Sequence, residues 1–274
     1  MLTQTPKTTY LKDYAPPAYR ISTVDLRFEL GEDSTTVQSR LRIVRAEATP
    51  AGTPLALDGQ HLELLALELN GTPLAADRYR VDADRLTLLG PPAEFVLTVV
   101  TRIRPQDNAA LQGLYQSSGN FCTQCEAEGF RRITYFLDRP DVMAVYTTTL
   151  VADKARYPVL LSNGNPVERG ELADGRHWAK WHDPFPKSSY LFAVVAGHLQ
   201  HIEDRFVTRS GRKVTLRIYV EPDNVDQCGH AMDSLKQAMA WDEERFGLEY
   251  DLDLYQIVAV GDFNMGAMEN KGLN

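Results

Sequence analysis

The feature that most constrains this chain is a two-residue alternation of apolar and polar side chains. Residues 24–30 read VDLRFEL, similar alternation returns near residues 37–43 and 65–69, and a further strand is predicted at 95–100. Apolar side chains that recur at every second position are typical of half-buried strands. Short strands that follow one another with turn residues between them indicate a β-sandwich or saddle. We therefore predict that at least the first hundred residues are built from strands.

Strand patterns continue well beyond this region, and no linker-like composition interrupts them. The pair Asn70-Gly71 is the strongest short hairpin signal in the chain. Further strands are predicted at 79–81, 86–88, 145–151, 158–162, 176–181 and 189–196. We interpret residues 1–198 as one β-rich domain.

The pattern changes after residue 198. Residues 214–220 alternate as a strand, and a long helix follows in which apolar side chains recur at three- and four-residue steps. Asp223 or Asn224 could cap this helix, and Gly247 could end it. A strand is predicted at 254–260. The predicted fold class is therefore mainly β, with residues 199–274 as the truncated start of an α/β or α+β domain.

Composition excludes several classes of function. The chain has 37 acidic and 29 basic residues and a net charge of −8, which disfavours binding to nucleic acid or to an anionic membrane. No apolar run approaches the roughly 18 residues of a transmembrane helix, and no secretory signal begins the chain. Three cysteines do not make a disulfide framework. A cytoplasmic location is the simplest expectation.

The last residues, GDFNMGAMENKGLN, contain the most distinctive candidate site. Residues 266–270 are predicted to form a strand of small residues that carries one carboxylate. In an extended chain Met265, Ala267 and Glu269 share one face, because side chains alternate. Such a strand could bind a short peptide by edge pairing, with Glu269 near its ammonium group. An ordinary sheet strand with a solvated glutamate is the alternative.

A second candidate site lies at Gln124 and Glu126, which point the same way if the segment is extended. A neutral acceptor beside a full negative charge is a plausible receptor for an ammonium group. Between them, Cys125 forms a C-x-x-C pair with Cys122. A structural zinc site needs four ligands, and Cys228 with His230 is poorly placed to complete one. We expect reduced, partly buried thiols here.

Two motifs carry a resemblance to a known family. GAMEN at 266–270, followed by KGLN, resembles the exopeptidase signature of the zinc aminopeptidases of the aminopeptidase N family. The segment FCTQCEAEGFRRITYFLDRPDV at 121–142 resembles the bacterial form of the contribution that the N-terminal domain makes to their site. SNGNPVERGEL at 162–172 is similar to that branch as well. The resemblance covers essentially the whole chain.

The resemblance implies a role for each matching residue. Glu269 would bind the α-amino group of the substrate, helped by Glu126, with Gln124 nearby. Gly266 and Ala267 would hydrogen-bond the substrate backbone. Met265 would line the pocket for the first side chain. The remaining residues of the motif belong to the same substrate-binding set, namely Met268 and Asn270. The substrates implied are peptides with a free N-terminus, and the family's fold is a β-rich saddle followed by a thermolysin-like domain.

The chain departs from the family in one respect. None of its six histidines is followed by glutamate, so the H-E-x-x-H zinc motif is missing. The resemblance therefore predicts the N-terminal portion of a zinc aminopeptidase, without a metal ligand or catalytic residue of its own and inactive alone. The remaining C-terminal portion would be its partner. A non-catalytic peptide-binding or interaction module is the alternative.

Overall fold

The structure is a computed structural model that describes residues 8, 10–261, 263 and 265–274. Its described part is mainly β and contains a single α-helix. No helix in this part is both long and apolar enough to cross a lipid bilayer. The mainly β fold class predicted from the alternation is confirmed.

The strands follow the chain with short connections. The first nine are β1 (Tyr19–Leu30), β2 (Thr35–Arg45), β3 (Leu55–Asp58), β4 (Glu63–Leu69), β5 (Thr72–Pro73), β6 (Tyr79–Val81), β7 (Arg85–Leu88), β8 (Glu94–Ile103) and β9 (Gly113–Ser117). The next nine in the described residues are β10 (Asn120–Gln124), β11 (Ala144–Asp153), β12 (Val159–Ser162), β13 (Asn165–Glu171), β14 (Arg176–Lys187), β15 (Val194–Gly197), β16 (Gln200–Val207), β17 (Lys213–Val220) and β18 (Leu254–Ala259).

These strands form four sheets in the described part of the chain. The large sheet has the order β13-β14-β11-β1-β2-β8-β4-β5, and a small sheet has the order β3-β7-β6. A third sheet, β12-β15-β10-β9, leads to the candidate site, and a fourth, β16-β17-β18, lies beside it. The helix α1 (Gly229–Phe246) connects β17 to β18.

β1 sits inside the large sheet and explains why its sequence alternates so regularly. It pairs antiparallel with β2, with Leu26 opposite Ser39, and parallel with β11, with Leu26 opposite Thr148. Val24, Leu26 and Phe28 are buried while the side chains between them are exposed. One face of the strand therefore contributes to the core and the other meets solvent.

An aromatic cluster underlies the loop that follows β10. The ring of Phe130 packs edge-on against Phe136, Tyr146 and Phe192, at centroid distances of 4.9, 6.1 and 5.2 Å. All four rings are buried. Edge-to-face contacts between buried rings favour one arrangement over others, so this cluster gives the loop after Gln124 a fixed base.

A separate apolar cluster joins the third sheet to the fourth. Cys122 of β10 and Val195 of β15 belong to it, together with Tyr219 of β17, Leu254 of β18 and Leu273 near the C-terminus. Burial of apolar surface on both sides of this contact stabilises the fourth sheet against the third. The cluster therefore brings residues 265–274 close to β10.

The predicted long helix is present, but its beginning differs from the prediction. Asp223 and Asn224 lie in a 3₁₀ helix, Pro222–Gln227, and α1 starts at Gly229 after Cys228, without a side-chain cap. Proline suits the first turn of a helix because it needs no hydrogen-bond donor there. Gly247 ends α1 in the left-handed conformation, at φ 68°, as predicted.

The predicted strand at 189–196 is only partly present. Ser189–Leu191 forms a 3₁₀ helix, and the strand begins at Val194. The hydroxyl Oγ of Ser189 donates to the buried carboxylate oxygen Oδ1 of Asp138 at 2.6 Å. Backbone bonds from Leu191 N to Ser188 O and from Phe192 N to Ser189 O close the turn, and apolar composition alone could not reveal it.

Candidate functional site between the third and fourth sheets

The GAMEN segment is not the strand that the sequence predicted. Residues 265–266 bend, 267–270 have no regular structure, and only Leu273 forms a bridge, parallel to Gln256 of β18. A parallel return beside β18 needs a connecting loop. Gly272, at φ +74°, makes the final turn into the bridge. Residues 266–270 serve as this connection, which is why they do not belong to a sheet.

The side chains of this segment divide between buried and exposed. Met268 and Asn270 are buried, whereas Met265, Ala267 and Glu269 are exposed along with Gly266. The shared exposure of Met265, Ala267 and Glu269 agrees with the alternation argument, although the strand itself is absent. Two buried side chains therefore hold the segment in place, and its other residues are exposed to solvent.

The structure brings Gln124 and the GAMEN segment together. Gln124 ends β10 and is 2% exposed. Its Nε2 donates to the thioether sulfur Sδ of Met268 at 3.5 Å and to the backbone oxygen of Glu126 at 3.4 Å. Its Oε1 is buried and has no hydrogen-bond partner among the described residues. A buried acceptor without a partner is costly unless a ligand or water meets it.

A cavity of about 470 Å³ lies beside these residues. Its walls come from β10, β15, the end of β18 and the C-terminal segment, and all six residues from Met265 to Asn270 line it. Gln124 touches this lining through Met268. Glu126 is exposed and is absent from the lining, so its predicted partnership with Glu269 stays a prediction.

A second unpaired acceptor faces the same region. Asn270 lines the cavity, and its buried Oδ1 has no partner in the described part of the chain. The carboxylates of Glu126 and Glu269 likewise make no ion pair with a described residue. This part of the molecule therefore offers oxygen acceptors and negative charge, the chemistry that suits a cationic donor such as an ammonium group.

Sequence reasoning did not identify several residues that shape the site. Cys122, Thr123, Ala193 and Val195 line the cavity through the pairing of β10 with β15. Asp138 supports the loop after Gln124, since its Oδ2 accepts from the backbone N and the Nε of Arg131 at 3.1 and 3.0 Å. A long-range strand pairing leaves no local signal in the sequence. Both strands are buried at every position, so they also lack the apolar–polar alternation of β1.

The two cysteines of the C-x-x-C pair are buried and free. Burial raises the pKa of Cys122 to about 12, with a smaller contribution from the carboxylate of Glu221. Burial also raises the pKa of Cys125 well above its ordinary value, and Asp138 adds to the effect. Both thiols are neutral near pH 7, and a neutral thiol is a poor nucleophile and a poor metal ligand. They are more deeply buried than the sequence suggested.

The described residues do not fit a zinc ion. No group of three or more histidine, cysteine, aspartate or glutamate side chains converges anywhere in residues 8, 10–261, 263 and 265–274. A catalytic zinc site needs three protein ligands. No step of a metal-dependent reaction is therefore assigned to these residues.

Comparison with known proteins finds two matching family models and several similar proteins. Residues 34–191 match the Peptidase M1 N-terminal domain, and residues 230–274 match the Peptidase family M1 domain. Aminopeptidase N of Caulobacter vibrioides is 54% identical over 274 residues, and Aminopeptidase N of Escherichia coli K12 is 53% identical over 273 residues. Each alignment covers 100% of this chain and 31% of the relative.

A solved structure is similar over nearly the whole chain. The crystal structure of Legionella pneumophila aminopeptidase A in complex with aspartic acid superposes with a TM-score of 0.92 at 37% identity, over 97% of this chain and 31% of that chain. The chain thus spans about a third of the length of these relatives. Family matches that cover most of the sequence, together with this superposition, establish that the chain belongs to peptidase family M1.

Proposed function

We propose that this chain is the N-terminal part of a zinc-dependent aminopeptidase that removes single amino acids from the N-termini of peptides. The supporting observation is the contact between Gln124 and Met268, which joins the two sequence motifs beside one cavity. The relatives named Aminopeptidase N share 53–54% of their aligned residues with this chain. In this proposal the chain supplies substrate recognition and not the metal.

The proposed ligand group is the α-ammonium of a peptide. Glu269 and Glu126 would supply negative charge, and Gln124 would accept through its unpaired Oε1. The reference pKa of an α-amino group is about 8, so it is mostly charged near neutral pH. A peptide without this charge would leave the acceptors unpaired. Recognition of the ammonium would thereby restrict the enzyme to chain ends.

The remaining residues of the GAMEN segment would hold the rest of the first residue. Gly266 and Ala267 are exposed and small, which allows a peptide backbone to approach closely. Met265 would contact the first side chain with a flexible apolar surface. Asn270 would add an acceptor, and Met268 would support Gln124. The aspartic acid in the related Legionella structure is consistent with a site for an amino acid that has a free amine.

We further propose that the zinc ligands and the general base belong to a part of the protein outside these 274 residues. The chain alone would then be inactive, and that remaining C-terminal part would be its partner. The net charge of −8 supports a peptide ligand over nucleic acid or an anionic membrane, and a cytoplasmic location is part of the proposal. We also propose a domain boundary near residue 198, because β15 ends at Gly197 and the next strand belongs to another sheet.

Calorimetry of the chain with L-alanyl-L-leucine and its N-acetylated form tests the proposed recognition. We expect the free amine to bind more tightly, by about tenfold for one charge-assisted hydrogen bond. Glu269→Gln should remove most of this preference, whereas Glu47→Gln, a change at an exposed glutamate elsewhere, should leave it intact. Equal binding of both peptides would contradict the recognition site.

Assays with a chromogenic alanyl substrate, together with metal analysis, test whether the zinc ligands and the general base lie outside these 274 residues. We expect neither turnover nor stoichiometric zinc in the 274-residue chain. Turnover with tightly bound zinc would overturn the proposal that the metal site lies elsewhere. Free-amine binding by a protein that has no further catalytic part would favour the non-catalytic peptide-binding module.

A further inference from the structure

We propose that Asn163 and Gln256 are positioning residues whose buried amides hold the recognition segment, defined as residues 265–274, against β12 and β15. Asn163 follows β12 within the SNGN motif at 162–165, which the proposed recognition chemistry leaves without a role. The inference rests on the proposed function, because it assumes that the recognition segment binds the peptide amine.

Asn163 connects three separate parts of the chain through one side chain. It is 3% exposed. Its Nδ2 donates to the backbone oxygens of Leu191 at 3.0 Å and Lys271 at 2.8 Å, and its Oδ1 accepts from the backbone N of Ala193 at 2.7 Å. A planar amide with these three bonds has little freedom to rotate. It therefore fixes Lys271 relative to the start of β15.

Gln256 makes a second connection between β12 and the recognition segment. Its buried Nε2 donates to the backbone oxygens of Ser162 at 3.2 Å and Gly272 at 3.4 Å. Its backbone N donates to the oxygen of Gly272 at 3.2 Å, and its backbone oxygen accepts from the N of Asn274 at 2.9 Å. Gln256 thus ties the end of the recognition segment both to β18 and to β12.

Gly164 and Gly272 allow close packing of the backbone next to Asn163 and Gln256. A Cβ on Gly164, which has φ +89°, would lie 2.2 Å from the backbone oxygen of His182. A Cβ on Gly272 would lie 2.8 Å from Leu252 Cδ1 and 3.5 Å from the backbone N of Gly164. The backbones therefore approach each other closely at this point, and the amides of Asn163 and Gln256 set the register of the approach.

Asn163 affects peptide recognition because Lys271, which it binds, is close in sequence to Glu269 and Asn270. Lys271 is two residues from Glu269 and adjacent to Asn270, which lines the cavity and whose buried Oδ1 has no partner among the described residues. Precise placement of charged groups over a binding site depends on the residues that support them. Loss of the Asn163 donor would remove the bond to the Lys271 backbone oxygen and loosen the placement of Glu269 without removing any group that touches the ligand, whereas the Lys271 ammonium would keep its bonds to Asp251.

The test compares hydrogen exchange of residues 265–274 and the free-amine preference in three forms of the 274-residue chain. Asn163→Asp keeps the acceptor for Ala193 but loses both donors. Thr101→Val is the matched control, because Thr101 is fully buried and its Oγ1 donates to Ile133 at 3.0 Å, away from the segment. Thermal unfolding monitors whether each variant folds. If Asn163→Asp does not fold, Gln256→Leu replaces it.

We expect Asn163→Asp to accelerate exchange in residues 265–274 by about tenfold and to reduce the preference for the free amine by a similar factor, as expected for a lost buried hydrogen bond. Thr101→Val should change neither. Equal effects of both variants, or no effect of Asn163→Asp, would overturn the inference. If the unmutated chain shows no preference for the free amine, the proposed function fails, and local exchange alone still decides whether Asn163 positions the segment.

Discussion

The amide Nε2 of Gln124 lies 3.5 Å from the sulfur Sδ of Met268, although 144 positions separate these residues in sequence. The contact links the end of β10 to the GAMEN segment. It leaves the other atom of the amide, Oε1, buried and unpaired among the described residues. The amide of Gln124 therefore uses its donor, Nε2, and leaves its acceptor, Oε1, free for a ligand. The first prediction rests on this difference.

Gln124→Leu should separate binding from stability. Leucine has a similar volume and removes the buried acceptor that lacks a partner, so the free energy of unfolding should stay within about 1 kcal/mol of the original or rise. The preference for a free amine over an N-acetylated peptide should fall several-fold. Urea unfolding and calorimetry measure the two effects. A large loss of stability with an unchanged preference would contradict the assigned role.

The buried ion pair of Asp183 and Lys187 gives a second prediction. The two side chains are 0% and 3% exposed, their charged atoms lie 3.2 Å apart, and the Lys187 ammonium lies 3.9 Å from the Tyr146 ring centroid. Burial lowers the pKa of Lys187 to about 8, although Asp183 opposes this shift. Asp183→Asn should destabilise the chain by about 3–5 kcal/mol, because it leaves a buried charge without its partner.

The double variant Asp183→Asn with Lys187→Met is the control for this pair. It removes both charges, so most of the lost stability should return. Chemical denaturation of both single variants and the double variant completes a mutant cycle. Additive losses would show that the two groups do not stabilise each other.

Because the thiol of Cys122 has a raised pKa in the folded chain, we expect the free energy of unfolding to depend on pH. Burial raises its folded pKa to about 12, well above the ordinary value of a cysteine thiol near 9.0. Above pH 9 the unfolded chain loses the proton while the folded chain keeps it, so stability declines as pH rises from 9 towards 12. Cys122→Ala should therefore lose less stability than the original chain between pH 8 and 10. Identical pH slopes in urea unfolding would contradict the assignment.

Gly247 gives a prediction about the helix end. It adopts φ 68° after α1, and a Cβ there would meet no atom within 4 Å. The cost of Gly247→Ala should therefore come from backbone strain alone, at about 1 kcal/mol. Gly229→Ala is the matched control, since that position is also open and has no positive φ. Urea unfolding should find Gly229→Ala close to neutral. A neutral Gly247→Ala would argue against the left-handed cap.

The sequence predicted local structure better than long-range pairing. The alternation around Leu26 and the helix end at Gly247 are local signals, and both are confirmed. The strand predicted at 266–270 was wrong because pairing partners, and not alternation, decide whether a segment joins a sheet. The 3₁₀ helix at Ser189 carries a hydrogen bond to Asp138, 51 positions earlier in the chain, and no local pattern encodes such a contact.

The sequence predicted which residues belong to the candidate site, but it did not predict how they are arranged in space. The GAMEN and Gln-x-Glu motifs identified two segments as candidates, and the structure brings Gln124 of one into contact with Met268 of the other. Cys122 and Val195 were not recognised as cavity walls, because the pairing of β10 with β15 joins distant parts of the chain. The partnership of Glu126 with Glu269 stays a prediction.

The parallel pairing of β1 with β11 affects how the protein is made. Thr23 pairs with Val145, so one edge of β1 has no partner until β11 has left the ribosome. At typical synthesis rates this interval is on the order of ten seconds. An apolar strand with an open edge can pair with other chains during that time. Early pairing of β1 with β2, its neighbour in sequence, covers the other edge of β1 before the largest sheet is complete.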